Sequence, residues 1–501
     1  ARSMRPPWWQ RAWLDVLLLI PAAYGTYLLH KQGSILLPAV IRQGASVAQD
    51  PFDNPLLFMV PVLAILAITL VLIRLLPYVV RLIAWLLAKF PGAAILMAAR
   101  QLARSPSFYA APLLLLILTL GLATFTASLA ATLDQHLGTE IRYITGGTMA
   151  LNELGESTRD TGVTNPQVMS SNTTTDNQNG QSQAAVGPLY MFLPVEDHMK
   201  VDGVLAAARI GGYRADAHFS THNASATYMG IDRLDFAQVS YWRSDFSSQS
   251  LGTLMNALAA RFDAVLVPET VLAENALGIG DSIQVNAHLP DGDVVLPMTI
   301  GGTFRLWPGW NPKDTEAGPL FVGNLDYFFQ QAGGQVPYSV WLKTRPGSDP
   351  KAIVEGVQSL GVLVRGYEDV QTLIDQEQMR PARQGLFGML SVGFGAAGLF
   401  TVLGFFLYAV FSLRRRTIEL GVLRAMGFSA GQMGIFLGGE LGLLLGVGMG
   451  AGTLLGVLAS RIYIPYFQIN ASEAGQALPF AVVVDWPEVF RIYAIFAILF
   501  I

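Results

Sequence analysis

Histidine and carboxylate residues come close together in the sequence at two places. His218 and His222 are four residues apart beside Asp216, so they could share a metal ion if the segment were helical. The residues around them favour a strand or loop instead, and no further ligand lies nearby. The metal site is therefore the weaker interpretation. The second group, Glu196–His198, is predicted to be a solvated turn or the start of a helix.

Motifs for catalysis are missing from the sequence. There is no G-x-x-x-x-G-K-[ST] phosphate loop, so we expect no ATP hydrolysis by this chain. The absence of cysteine excludes a thiolate nucleophile and a cysteine-based metal site. A net charge of −4 is too small to indicate a nucleic-acid partner. The sequence thus predicts no catalytic residue, no cofactor and no metal in this chain.

The composition predicts a membrane protein. Hydrophobic residues make up 52% of the 501 residues and charged residues only 14%, unlike the average soluble domain. Glu440 lies within one of the apolar segments, where an ionisable side chain is costly and often functional. It could serve as a conformational latch or a proton-linked site. The interpretation we favour is a structural hydrogen bond near the cytoplasmic end of the span.

Three consecutive arginines, Arg414, Arg415 and Arg416, follow an apolar run that is long enough to cross a bilayer. Clustered arginines at the end of a span mark the cytoplasmic side. The next residues, Thr417–Met426, have the spacing of a short amphipathic helix, and Gly427 would end it. The sequence therefore predicts a basic cytoplasmic elbow, residues 412–430, between two spans.

The span after the elbow has a glycine at every fourth position. Such a stripe lets another helix backbone pack closely in a membrane, whereas each glycine would cost a soluble helix about 1 kcal/mol relative to alanine. The predicted helix-packing stripe consists of Gly434, Gly438, Gly442, Gly446 and Gly450.

The elbow sequence RRRTIELGVLRAMGFSAGQM resembles the FtsX/MacB-type permease motif of ATP-binding-cassette (ABC) transporters. That motif is a basic stretch followed by an E-[IL]-G-[IV]-L-R-A-[LM]-G core, which matches Glu419–Gly427. In the family this segment couples the permease to a separate ATPase subunit. The resemblance implies an ATPase-coupling elbow made of Arg414, Arg415, Arg416, Glu419, Leu423, Arg424 and Gly427.

A second stretch, FDAVLVPETVLAENALGIGDSIQVN, reads as strand, short helix, turn and strand. It resembles the periplasmic core domain of the same family, described as MacB-like. Further elements of this domain are predicted from alternating or β-branched segments and from helical periodicity. The strands are Ala264–Pro268, Ser282–Ala287, Val294–Ile300 and Tyr338–Thr344, and the helices are Lys351–Leu360 and Asp369–Met379.

The predicted fold is a polytopic α-helical membrane protein with a large α/β extracytoplasmic domain inserted between the third and fourth spans. Residues 1–54 hold a cytoplasmic lead-in, the first span and an outside loop; 55–108 the second span and cytoplasmic amphipathic helices; 109–131 the third span; 132–383 the extracytoplasmic domain; 384–458 the fourth and fifth spans with the elbow; 459–487 an outside loop; and 488–501 a truncated sixth span. A polar run at 155–187 is predicted to be a loop.

The resemblance implies a permease subunit in the bacterial cytoplasmic membrane, with ATP and Mg²⁺ on a cytoplasmic ABC ATPase dimer. Its motion would export or extract an amphiphile such as a lipoprotein, peptide or drug. Other expected contacts are membrane lipid and an extracytoplasmic adaptor or envelope enzyme. We expect the chain to be the C-terminal half of a two-half permease, cut at both ends.

Three alternatives stay open at this point. The chain could be an FtsX-like regulator that activates an envelope enzyme without transport. It could be a secondary transporter, although such proteins usually have several intramembrane charges around a midplane site. The first apolar run could be a signal peptide, although it has no small-residue cleavage site.

Overall fold

The computed structural model describes residues 13–32, 55–87, 106–157, 190–219, 222–290, 292–314, 316–415, 421, 424–425, 429–466 and 478–500. The polar run and most of the elbow lie outside these residues. The chain forms two compact units, which we name the helical unit and the sheet unit. The helical unit comprises the described parts of 1–136, 379–469 and 480–501. The sheet unit comprises those of 137–378 and 470–479.

The described α-helices are α1 Leu14–Leu17, α2 Leu19–Gln32, α3 Pro55–Leu87, α4 Pro106–Thr145, α5 Phe236–Val239, α6 Leu251–Ala260, α7 Glu269–Asn275, α8 Leu325–Ala332, α9 Pro350–Ser359, α10 Val370–Gln378, α11 Pro381–Arg415, α12 Ala430–Tyr463 and α13 Trp486–Phe500. Short 3₁₀ helices cover Val195–Lys200 and Ile464–Tyr466.

The strands are β1 Met149–Leu154, β2 Glu156–Ser157, β3 Tyr190–Met191, β4 Val204–His218, β5 Asn223–Ile231, β6 Ala264–Pro268, β7 Ser282–Leu289, β8 Gly292–Phe304, β9 Leu320–Asn324, β10 Ser339–Thr344 and β11 Leu363–Asp369.

Among the described residues, two helical segments are long and apolar enough to cross a membrane. They are Tyr109–Thr145 in α4 and Met433–Tyr466, which includes most of α12. A shorter apolar segment, Met59–Leu75, lies within α3. The helices therefore occur where the sequence predicts spans, and the number of spans stays a prediction.

Helix α4 runs well beyond the predicted end of the third span at residue 131. Leu133, Leu137 and Ile141 are all buried and recur every fourth residue, which is the spacing of one helix face. This apolar face keeps the segment helical although polar residues lower its hydropathy. The helix ends at Gly146, whose φ of +77° suits glycine and whose amide donates to the carbonyl of Arg142 at 2.9 Å.

Helices α4 and α12 of the helical unit pack closely at glycines. A Cβ built on Gly452 would lie 3.0 Å from the carbonyl oxygen of Ile117, and one built on Gly456 would lie 2.7 Å from that of Gly121. Gly448 meets the side chain of Leu116 in the same way, at 2.4 Å. These contacts leave no space for a larger residue, so the two backbones approach as in other small-residue membrane interfaces.

The predicted stripe is a different set of glycines. Among the described residues, nothing lies within 4 Å of a Cβ built on Gly434, Gly438, Gly442, Gly446 or Gly450. Each residue of an α-helix turns about 100°, so residues two apart point to nearly opposite sides. Where the two sets overlap, the stripe therefore lies opposite the face that contacts α4. Its role in packing stays a prediction.

An ion pair joins α1 to α3 in the helical unit. The guanidinium of Arg74 lies 2.7 Å from Asp15, whose side chain is completely buried, and it stacks over the ring of Trp13 with 4.2 Å between the guanidinium carbon and the ring centre. A buried carboxylate needs such a partner because its desolvation is otherwise too costly.

The sheet unit contains a mixed sheet of nine described strands in the order β11-β1-β10-β4-β5-β9-β6-β8-β7. The pairs β5–β9 and β6–β8 are parallel and the other neighbours are antiparallel. Strand β4, which the sequence analysis missed, pairs with β10, β5 and β7. Its alanines, glycines and arginines give no clear β pattern, although the strand is 15 residues long.

Both faces of the sheet are covered, and the central strands show why. All five residues of β6 are buried: Val265 and Val267 belong to one apolar cluster, and Ala264 and Leu266 to another. Successive strand residues point to opposite faces. A continuous apolar run therefore indicates a strand that is buried on both sides. The structure has β6 at its predicted bounds.

The glycine contact between α4 and α12 predicts how two substitutions on α12 differ. We expect Gly456→Val to destabilise the helical unit by about 1–3 kcal/mol, because the new side chain overlaps Thr124 and the backbone at Gly121. The control Gly446→Val adds the same atoms in open space and is expected to have little effect. Thermal unfolding of the full chain in detergent measures both. Equal unfolding midpoints would contradict the packing of these helices.

Candidate functional site

The predicted elbow lies between the end of α11 at Arg415 and the start of α12 at Ala430. Within it, Arg424 is helical and exposed. The residues 416–420, 422–423 and 426–428, which hold Arg416, Glu419, Leu423 and Gly427, lie outside the described residues. The side chains of Arg414 and Arg415 also lie outside the description, so the coupling role stays a prediction.

Glu440 lies on α12 and is 4% exposed, so it is buried within the helical unit. A carboxylate at this depth must be satisfied by neighbouring polar groups. Both predicted roles, the structural hydrogen bond and the functional latch, require such burial. The position of Glu440 therefore does not distinguish between them.

The sheet unit contains a cavity of about 580 Å³. We name it the acidic cavity because carboxylates from separate segments meet there. The cavity lies beside the end of β5, and its charged and polar lining includes Glu196, Arg209, Asp232, Asp235, Asp326 and Tyr338. Its volume is in the range of about 300–1,000 Å³ that is usual for small-molecule sites. It is therefore a candidate binding site.

Arg209 of β4 fixes one wall of the acidic cavity. Its guanidinium donates two hydrogen bonds of 2.7 Å to the two carboxylate oxygens of Asp232, and a third of 3.2 Å to Asp326. Burial lowers the pKa of Arg209, but the hydrogen bonds and charge of Asp232 outweigh this effect and raise it. The arginine therefore stays charged and holds both carboxylates in place.

Asp235 and Glu196 bring further negative charge to the acidic cavity. The pKa of Asp235 is raised, first by partial burial and then by the neighbouring charges of Asp232 and Glu196. Arg209 only partly offsets these effects. The like charges therefore repel one another across the cavity.

Tyr338 supplies a hydroxyl to the same cavity. The residue is 6% exposed, and its ring packs against Phe192 with 4.3 Å between ring centres. Burial raises the pKa of its hydroxyl, so the group is a neutral hydrogen-bond donor. Within the described part of the chain, this hydroxyl makes no hydrogen bond with a protein atom, which is unusual for a buried tyrosine.

Sequence reasoning did not find the acidic cavity. Arg209 gave the one available signal, because a single arginine in the apolar stretch VLAAARIGG needs a partner if the strand is buried. The sequence could not show which carboxylate that partner would be, since Asp232 and Asp326 are distant along the chain.

The group Glu196–His198 is predicted to be a solvated turn or the start of a helix, and the structure places it in a helix that is only partly solvated. It lies in the 3₁₀ helix Val195–Lys200, and Glu196 is exposed. His198, however, is completely buried, and its Nε2 lies 2.5 Å from Oε1 of Glu153 on β1. Burial lowers the pKa of His198, but the hydrogen bond and charge of Glu153 outweigh it and raise the pKa above its ordinary value.

The two histidines first considered as metal ligands have other contacts. His218 is the last residue of β4, where Nδ1 lies 2.8 Å from the side chain of Asn223 and Nε2 lies 2.8 Å from that of Asn286. Asp216 instead contacts His288 at 3.1 Å. Among the described residues, no three histidines or carboxylates form a group that could hold a metal ion.

Comparison with known families identifies the C-terminal part of the chain. Residues 391–501 match the family model described as FtsX-like permease C-terminal. This part includes the elbow from which the resemblance was inferred, and it confirms that resemblance. The chain is thus similar to permease components of ABC transporters, which are membrane proteins and generally not enzymes themselves. No curated protein matches the chain in sequence.

Two of the solved structures similar to the chain are extracytoplasmic parts of such permeases. The extracellular domain of the noncanonic ABC-type transporter YknZ from Gram-positive bacteria is 14% identical, with a TM-score of 0.25, covering 35% of this chain and 86% of that one. The periplasmic region of MacB from Actinobacillus actinomycetemcomitans is 11% identical, with a TM-score of 0.27, covering 48% and 96%. A domain of a permease protein from Porphyromonas gingivalis is 14% identical, with a TM-score of 0.21, covering 32% and 70%.

The buried pair Glu153–His198 predicts how the stability of the sheet unit depends on pH. Because folding raises the pKa of His198, the pair stabilises fully below the unfolded pKa of about 6.5. This contribution is lost as the pH rises through the raised, folded-state pKa. We expect Glu153→Gln to lower the free energy of unfolding by about 1–3 kcal/mol at low pH and to flatten its pH dependence.

Pulse proteolysis of the full chain in detergent, from about pH 5.5 to about pH 8.5, measures this effect across the range in which histidine titrates. The matched control is His288→Gln, which removes an exposed histidine whose pKa is also raised by hydrogen bonds to Asp293 and Asp216. Exposed pairs contribute little to stability. The prediction fails if Glu153→Gln keeps the wild-type pH profile.

Proposed function

We propose that this chain is the permease subunit of an ABC transporter and that it couples ATP hydrolysis on a separate ATPase dimer to movement of its extracytoplasmic sheet unit. The observation that carries the proposal is the family match over residues 391–501, which contains the elbow sequence. ATP and Mg²⁺ would bind to the partner, and the energy would reach this chain through the elbow.

Two long helices flank the elbow and suit mechanical transmission. Helix α11 has 35 residues and α12 has 34. At a rise of 1.5 Å per residue each is about 50 Å long, more than the roughly 30 Å of a bilayer core. Displacement of the elbow would therefore reach the opposite ends of both helices. The chain continues from α10 of the sheet unit into α11 after two residues.

Membrane lipid is the proposed environment of the helical unit. Helix α11 exposes large apolar side chains along its length, at spacings of three, four and seven residues. These exposed residues include Val392, Leu399, Phe400, Leu403, Phe406 and Leu407. Such a surface would be costly in water, and it supports a multi-pass protein of the bacterial cytoplasmic membrane.

The proposed substrate is an amphiphile such as a lipoprotein, peptide or drug, exported or extracted by this movement. The resemblance of the elbow to the FtsX/MacB family supports that class. An extracytoplasmic adaptor or envelope enzyme would meet the sheet unit. In this proposal the chain itself performs no chemistry and transmits work.

Copurification tests the elbow. The full chain is expressed with an ABC-type ATPase subunit of the same organism, as wild type and with Glu419→Lys combined with Leu423→Asp. We expect the double variant to weaken the complex by at least tenfold, because it reverses one charge and places another on the apolar face of the predicted helix. ATP turnover that depends on the permease would fall in parallel.

The matched control places the same types of substitution in the sheet unit, as Glu355→Lys combined with Leu363→Asp. Both residues are exposed there, so we expect normal binding and turnover. Size-exclusion chromatography in detergent establishes that each variant is folded. If the elbow variant is folded and still binds and activates the ATPase like the control, the elbow is not the coupling element and the proposed function is wrong.

A further inference from the structure

The acidic cavity carries more negative than positive charge. Among its described lining residues, four carboxylates face two guanidiniums: Glu196, Asp232, Asp235 and Asp326 against Arg209 and Arg233. The guanidinium of Arg209 is already shared between two of these carboxylates. Arg233 is exposed at the rim. The cavity therefore has an excess of two negative charges, which favours a cationic ligand.

The positions of Glu196 and Asp235 indicate where that cation would bind. Within the described residues, neither carboxylate forms an ion pair with a protein cation, and each lines the cavity. Burial and then the charges of Asp232 and Glu196 raise the pKa of Asp235, and Arg209 offsets these effects only in part. A cation between Glu196 and Asp235 would relieve the repulsion between them.

The hydroxyl of Tyr338 is a second and independent indication of a ligand. It belongs to a side chain that is 6% exposed, it lines the cavity, and it makes no hydrogen bond with the described protein atoms. A polar atom of a bound molecule would supply the missing hydrogen bond.

Part of the remaining lining of the cavity is apolar. Phe192 packs on the ring of Tyr338, and two large apolar side chains at the cavity are exposed, Leu234 at 70% and Phe262 at 52%. Apolar side chains beside a few polar groups are the usual lining of a small-molecule site. The ligand would therefore carry an apolar body beside its charge.

We propose that the acidic cavity binds an organic cation of drug size, an amine attached to an apolar body. The amine contacts the carboxylates of Glu196 and Asp235, the hydroxyl of Tyr338 bonds a polar atom of the ligand, and the apolar body lies against Phe192, Leu234 and Phe262. This inference rests on the proposed function and deepens it, because it assigns a positive charge to the transported amphiphile.

The test uses the full chain in detergent, without ATPase and without ATP. The probe is dansylcadaverine, a primary amine on a fluorescent apolar body, and its uncharged N-acetyl derivative is the second probe. We expect Glu196→Gln combined with Asp235→Asn to weaken dansylcadaverine binding by about tenfold or more, since a charge-assisted hydrogen bond is the stronger kind. We expect Tyr338→Phe to weaken it several-fold.

The matched control is Glu274→Gln combined with Glu355→Gln, which removes two exposed carboxylates of the same unit outside the cavity. It should bind both probes like the wild type. The N-acetyl derivative should bind the wild type about tenfold more weakly than the amine and should not distinguish the cavity variant from the control. Equal weakening in the cavity variant and the control would overturn the proposal.

Competition with trilysine separates a small amphiphile from a basic peptide. Trilysine is compared with unlabelled cadaverine derivatives that carry an apolar body. If trilysine displaces the probe equally effectively, the apolar contact is wrong and the proposal is overturned. The outcome of this test does not depend on the elbow. If binding depends on charge but the coupling test fails, the cavity assignment stands and the permease function is rejected. If charge-dependent binding is not found but the coupling test succeeds, only the cavity assignment is rejected.

Discussion

The ion pair between Arg209 and Asp232 is the contact on which the shape of the acidic cavity depends. The ladder between β4 and β5 ends at the pair Ile210 and Ile231, and just beyond this pair Arg209 precedes Ile210 and Asp232 follows Ile231. Asp232 donates its amide to the carbonyl of Arg209 at 3.3 Å, while its side chain accepts from the Arg209 amide at 3.2 Å and from the guanidinium. The chain is thus clamped where it leaves the sheet, and the segment with Asp235 follows directly.

The same rule, that a buried charge needs an opposite charge in contact, explains the other polar sites in the interior. Glu153 holds His198, and Asp15 holds Arg74. Each pair joins segments that are distant in sequence. The carboxylates of Glu196 and Asp235 differ because neither forms an ion pair with a cation among the described residues, so their repulsion is only partly offset. This difference distinguishes a binding cavity from a structural ion pair.

The sequence predicts best those elements whose signal is local. Strand β6 has its predicted bounds because five apolar residues between Asp263 and Glu269 are buried on both faces. Helix α11 begins three residues before the predicted segment 384–458 and α12 ends five residues after it, because hydropathy measures the apolar core of a helix and not its ends. Strand β4 was missed because its pairing with three other strands, and not its own pattern, stabilises it.

Sequence patterns could not predict the contacts between segments that are distant along the chain. The acidic cavity brings Arg209 together with Asp326, which is 117 residues away along the chain. Single charges along a chain give no sign of which others they will meet. The glycines of α12 show the same limit, since a period of four occurs on two faces of the helix.

The pairing of charges in the acidic cavity also determines which ligands it excludes. Asp232 is held by two hydrogen bonds from Arg209, and Asp326 also contacts this guanidinium. An anion would meet these fixed carboxylates together with Glu196 and Asp235, and like charges that are juxtaposed in a partly buried site are strongly unfavourable. A neutral amphiphile would gain only the apolar contact, because the carboxylates would lose water without gaining a cation. Selectivity for positive charge therefore follows from the rigidity of the arginine network as much as from the free carboxylates.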